Sequence, residues 1–92
     1  MVRYHKVIND MITGLERSVS IHGFWEQYTP EQAFAIVRDE FFELRVAYDM
    51  GKVHGDHGMI REYRDVAICC IKAMLLLQNT HPAPPEVVEA DQ

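Results

Sequence analysis

Thr29-Pro30-Glu31-Gln32-Ala33-Phe34-Ala35-Ile36-Val37-Arg38-Asp39-Glu40-Phe41-Phe42-Glu43-Leu44 is the stretch from which the fold can be read. It opens with a helix-start signal. Thr29 stands at the N-cap and Pro30 at N1, where a missing N–H does no harm. Gln32 stands at N3, from which its side chain reaches back to the cap. Phe34, Val37, Phe41, Leu44 and Tyr48 then recur with a 3-4 alternation, which predicts a helical seam. The helix is expected over residues 30–49, ending near Asp49–Gly51.

Working outward, Lys52-Val53-His54-Gly55-Asp56-His57-Gly58 carries two glycines and reads as a turn. A second helix is expected over 59–78, charged in its first half and apolar all round from Val66 to Leu77 except at Lys72. Such a helix is normally buried on all sides. Upstream, Tyr4, Val7, Ile8, Met11, Ile12 and Leu15 form an amphipathic stripe, so another helix is expected over 2–17, with Gly14 weakening its last turn. Pro82, Pro84 and Pro85 stop the third helix, and 85–90 is a candidate for a short fourth. There is no strand pattern and no repeat. The expectation is one all-α domain over residues 1–92 of four-helix-bundle type.

Composition narrows the partners. With 48% apolar residues the chain is globular rather than disordered. A net charge of −5 argues against nucleic acid, whose phosphates need a basic surface. No apolar run has the length of a membrane span. Met1-Val2-Arg3-Tyr4-His5 leads straight into a periodic segment without a signal-peptide core, so the expected location is cytoplasmic. Cys69 and Cys70 are neighbours on a helix and point in different directions, which suits reduced thiols. Three helices cannot surround the apolar half of the last one, so a homo-oligomer, dimer or tetramer, is expected.

Chemistry is carried by four acids. Glu40 and Glu43 form one i, i+3 pair and Glu62 and Asp65 the other, each on one helix face. At about 100° per residue, Glu40 and Glu43 share a stripe with Ala33, Ile36 and Ala47. Glu62 and Asp65 line up with Cys69, Lys72 and Leu76. Both pairs thus point into the cleft of an antiparallel helix pair. Converging carboxylates repel unless a cation is present, and an oxygen-only set suits Mg²⁺, with Mn²⁺ as a substitute. A salt-bridged network with Arg61, Arg64 or Lys72 is the competing account. Lys72 is either a side chain snorkelling at a rim or a cation that meets phosphate. Arg61 and Arg64 either steer phosphate or offset local charge. His54 and His57 bracket a Gly-Asp pair in a turn, a poor zinc signature that reads as solvated.

Glu40-x-x-Glu43, eighteen residues, then Glu62-x-x-Asp65 resembles the signature of the all-α nucleotide pyrophosphohydrolases, the MazG-like group. His22-Gly23-Phe24-Trp25 resembles the glycine–aromatic loop before the first acidic helix, and Asp65-Val66-Ala67-Ile68 the start of the apolar run after the second motif. The resemblance covers about Ile21 to Leu77. Many members have Glu where this chain has Asp39; the helical wheel puts Asp39 away from the site stripe. The resemblance implies Mg²⁺-dependent cleavage of a nucleoside triphosphate between the α and β phosphates, in nucleotide-pool housecleaning. It implies Glu40, Glu43, Glu62 and Asp65 as metal ligands and catalytic residues. Trp25 would be a stacking platform for the base, or else a loop anchor. His22 would face the same pocket, with Lys72 and Arg61 near the phosphates. Two rivals stay open: a hydrolase of a related nucleotide (phosphoribosyl-ATP, dUTP or dCTP type), and a non-catalytic helical interaction module with a salt-bridged acidic cluster.

Overall fold

A computed structural model describes residues 3–85. The described residues form three α-helices: α1 (Arg3–His22), α2 (Pro30–Met50) and α3 (Met59–Thr80). The all-α expectation holds for the described residues, and α2 and α3 fall within two residues of their expected bounds. Residues 86–90 of the candidate fourth helix lie outside the described residues. No helix among the described residues is long and apolar enough to cross a membrane.

α1 departs from expectation by running to His22 instead of stopping at residue 17, which shortens the following loop. Gly14 does not end the helix. A Cβ at Gly14 would lie 2.9 Å from Ile68 Cδ1, so the glycine lets α1 approach α3 closely.

α2 starts as its sequence dictates. The Gln32 N–H donates to Thr29 Oγ1 at 3.2 Å, and the Thr29 N–H donates to Gln32 Oε1 at 2.9 Å. It stops at Gly51, left-handed at φ 66°, whose N–H meets Tyr48 O while Lys52 N–H reaches back to Ala47 O. The chain then folds over the start of α3. The N–H groups of Met59 and Ile60 donate to the carbonyls of Lys52 and Val53 at 2.8 and 3.2 Å. Two donors at the start of α3 are thereby satisfied without a side-chain cap. The result is an antiparallel α2–α3 hairpin, with α1 packed more sparsely on α3 and standing off from α2.

The hairpin closes on small residues. Ala33 and Ala47 are buried on α2, and Ile68 and Leu76 on α3. Trp25 from the loop joins Ala33 and Leu76, with Tyr28, Ile36 and Cys69 around them. This corrects the expected seam. Val37 and Leu44 turn inward, but Phe34 is 71% exposed and Phe41 and Tyr48 also face outward. The alanine stripe permits a close helix approach, and the bulky aromatics are left on the far side. The α1 stripe is likewise uncovered: Tyr4, Val7, Ile8 and Ile12 are exposed, and no residue of α1 is fully buried. Within α3, Met74 and Leu77 also stay exposed, so its apolar half is not enclosed by the described residues.

Candidate metal centre

The hairpin register sets Glu40 of α2 against Glu62 and Asp65 of α3. One carboxylate oxygen from each lies within 4.8 Å of the other two. Glu62 is in the first turn of α3, where a negative charge meets the helix dipole favourably. Its side chain is 2% exposed, its Oε1 lies 3.2 Å from His57 Nδ1, and its buried Oε2 has no partner. Glu43 is exposed and outside this group of three, although it shares a hydrogen bond with Glu40. Of the four acids expected to converge, three do so and the fourth stands beside them.

Burial pushes Glu40 up to about 7, helped by the charges of Glu43 and Asp65, the hydrogen bond with Glu43 and the charge of Glu62. The competing salt-bridge network is not formed among the described residues. Arg61 pairs with Asp56 instead. Lys72 donates to Ser18 Oγ at 2.6 Å and to Gly23 O at 3.3 Å, and its ammonium lies 5.8 Å from the Trp25 ring centre. Arg64 forms no ion pair among the described residues. No Arg or Lys pairs with this cluster of acids among the described residues, and one of them is more than nine-tenths buried with an orphan oxygen, a costly arrangement without a ligand.

The donor set fits a hard divalent cation. All donors are carboxylate oxygens, which Mg²⁺ prefers. Oxygens across an octahedral Mg²⁺ stand about 4.2 Å apart, twice its 2.1 Å bond. Only one pair of the three can stand across the ion, so the other separations, now within 4.8 Å, would close to about 3 Å, the distance between adjacent ligands with 2.1 Å bonds.

The metal-free protein is expected to lose thermal stability as pH rises from 5 to 8. Glu40 holds its proton up to about 7 when folded, against an ordinary 4.5. Between those values the folded state binds more protons than the unfolded one. The stabilisation is complete below about 4.5 and gone once pH passes 7. Melting curves in chelator would show the midpoint falling over this window, and Mg²⁺ restoring most at pH 8. A midpoint that is flat or rises in chelator would contradict the electrostatic picture.

A cavity of about 540 Å³ opens between α1 and the hairpin, with Glu40 and Asp65 in its wall together with Arg17, Arg61, Arg64 and Lys72. Of the residues expected to meet substrate, all four line it. Trp25 does so mainly as an anchor, since it is 7% exposed and packs edge-on against Tyr28 at 5.9 Å. His22 is exposed at the end of α1, and Arg61 is exposed at the start of α3. Lys72 does not snorkel at a rim: it is buried, and burial pulls its ammonium below the usual lysine range. Cys69 and Cys70 are free and half-buried. Burial, then the charges of Glu40 and Asp65, push the Cys69 thiol up to about 11 against the opposing pull of Lys72, so it stays protonated at neutral pH.

Two residues are added by the structure. Arg17 lines the cavity from α1. His57, read as part of a solvated turn, touches Glu62 through a backbone conformation that no spacing signals.

No protein-family model, curated protein or solved structure matches this chain. The functional reading therefore stands on the motif and on the geometry above.

Proposed function

We propose that this chain is an Mg²⁺-dependent nucleoside triphosphate pyrophosphohydrolase of the MazG-like kind. The observation that carries the reading is the cluster of Glu40, Glu62 and Asp65, unpaired with any Arg or Lys among the described residues and holding the orphan buried Oε2 of Glu62, with Glu40 and Asp65 in the wall of a cavity that also presents arginines. Glu40, Glu62 and Asp65 would hold the cation, with Glu43 at its edge. When bound, Mg²⁺ supplies charge neutralisation for the phosphate oxygens and polarises the phosphoanhydride.

The remaining roles belong to the side chains. Arg17 and Arg64 provide guanidinium groups that pair with the oxygens of the triphosphate. Lys72 adds positive charge from the cavity wall while fixing the end of α1 to the loop through Ser18 and Gly23. Trp25 and Tyr28 give the cavity an aromatic boundary for the base. Glu43, exposed beside the group of three, would take the proton of the attacking water. Water adds to phosphorus as the bridge between the α and β phosphates breaks. The products are a nucleoside monophosphate and pyrophosphate. The role in nucleotide housecleaning follows from the resemblance alone.

The exposed apolar faces of α1 and α2 support a homo-oligomer, in which a second copy covers them and completes the bundle. Incubation with Mg²⁺ and a panel of ribo- and deoxynucleoside triphosphates is expected to give monophosphate and pyrophosphate in one step, read by chromatography and pyrophosphate release. Diphosphate and orthophosphate as products would overturn the assignment.

A further inference from the structure

Among the described residues His57 is the one non-glycine with a positive φ, at 61°. That left-handed conformation is unfavourable for a residue with a Cβ. Gly51 and Gly55 meet the same need in the same loop without strain, at φ 66° and 84°. A turn alone would be satisfied by glycine at position 57 as well. The loop is tight beyond it: a Cβ at Gly58 would lie 2.5 Å from His54 O, so the chain there cannot easily shift. The outcome of this geometry is a contact. The imidazole, otherwise exposed, sets Nδ1 3.2 Å from Oε1 of the buried Glu62.

We infer that His57 is a positioning residue: its Nδ1–H fixes Glu62 Oε1 so that Oε2 is left free to bind the divalent cation. The inference rests on the metal-centre reading above. Metal-ligating carboxylates are commonly held by a hydrogen bond from a neighbour that does not itself touch the metal, and losing such a neighbour weakens binding by about 10–100-fold. Glu62 fits that pattern, because one oxygen has a partner and the other has none despite burial. No other side chain among the described residues donates to Glu62.

Two variants separate this role from a structural one. His57→Gly removes the donor but relieves the positive φ. His57→Asn keeps a donor, since its amide nitrogen is as many bonds from the backbone as Nδ1, and Asn tolerates the left-handed region. Mn²⁺ affinity, measured by titration of its free EPR signal, is expected to fall about tenfold or more in His57→Gly. His57→Asn should bind within about threefold of the parent. The His57→Gly melting point in chelator should be unchanged or higher. Equal Mn²⁺ affinity in the parent and His57→Gly would overturn the inference and leave the metal centre standing, as would a His57→Asn as weak as His57→Gly. A nitrogen coupling from imidazole bound directly to Mn²⁺ would make His57 a ligand and also overturn it. A parent protein that binds no Mn²⁺ would sink the metal-centre reading and this one together.

Discussion

Asp65→Asn and Glu62→Gln are expected to lose Mg²⁺-dependent pyrophosphate release by more than about a hundredfold while keeping their helices, a loss larger than that from a supporting residue. Each replacement removes a charged oxygen donor and leaves the side-chain volume almost unchanged. Glu62→Gln acts at a side chain only 2% exposed, so its shape must be kept for the test to be clean. The same substitutions remove a negative charge that helps push Glu40 up to about 7. Metal-free stability is therefore expected to rise, most clearly above pH 7, as repulsion is relieved. The signature is an opposite change in two quantities: higher melting point in chelator, lower Mn²⁺ affinity. Circular dichroism checks the helices, and near-normal turnover in both variants would remove the metal assignment. Glu43→Gln should behave differently, lowering turnover with a smaller loss of Mn²⁺ affinity, because Glu43 lies outside the group of three.

The second large effect concerns assembly. Phe34, Phe41 and Tyr48 lie seven residues apart on the outer face of α2, with Phe42 and Val46 beside them, all exposed. Tyr4, Val7, Ile8 and Ile12 add an apolar stripe on α1. A large contiguous apolar patch of this kind is rare on a soluble monomer and marks an interaction face. A stable dimer or tetramer is expected at micromolar concentration, measured by sedimentation. Phe34→Arg with Phe41→Arg should shift it to monomer and lower its activity. A wild type that sediments as a monomer would refute the argument from exposed area. A monomeric variant with full activity would break only the link between assembly and catalysis.

Some of this was written locally in the chain. Thr29, Pro30, Gln32 and Gly51 determined where α2 begins and ends, because a cap is settled by contacts between residues three to five apart. The i, i+3 spacing put Glu62 and Asp65 on one face of α3 for the same reason, and alternation with Ala33 and Ala47 marked the face of α2 that meets it. Other features depend on residues far apart in sequence. Gly14 reads as a weak point until Ile68 is seen against it. The 3-4 aromatic seam predicts a buried face, yet the helices close on alanines because small residues allow the nearer approach, and Phe34 is left outside.

The site divides the same way. Sequence alone named the four acids and could weigh a cation against a salt-bridge network, but not decide between them, since pairing depends on which charges reach each other. The tertiary structure drew Arg61 to Asp56 and Lys72 to Ser18, left Glu62 Oε2 without a partner, and put Glu43 at the edge. It also turned His57 onto Glu62 through a φ of 61°, a backbone state set by the closure of the whole 51–58 loop. Helix faces follow from a period of 3.6 residues, which any reader of the sequence can count. Which buried oxygen lacks a partner follows only from how three helices pack in space.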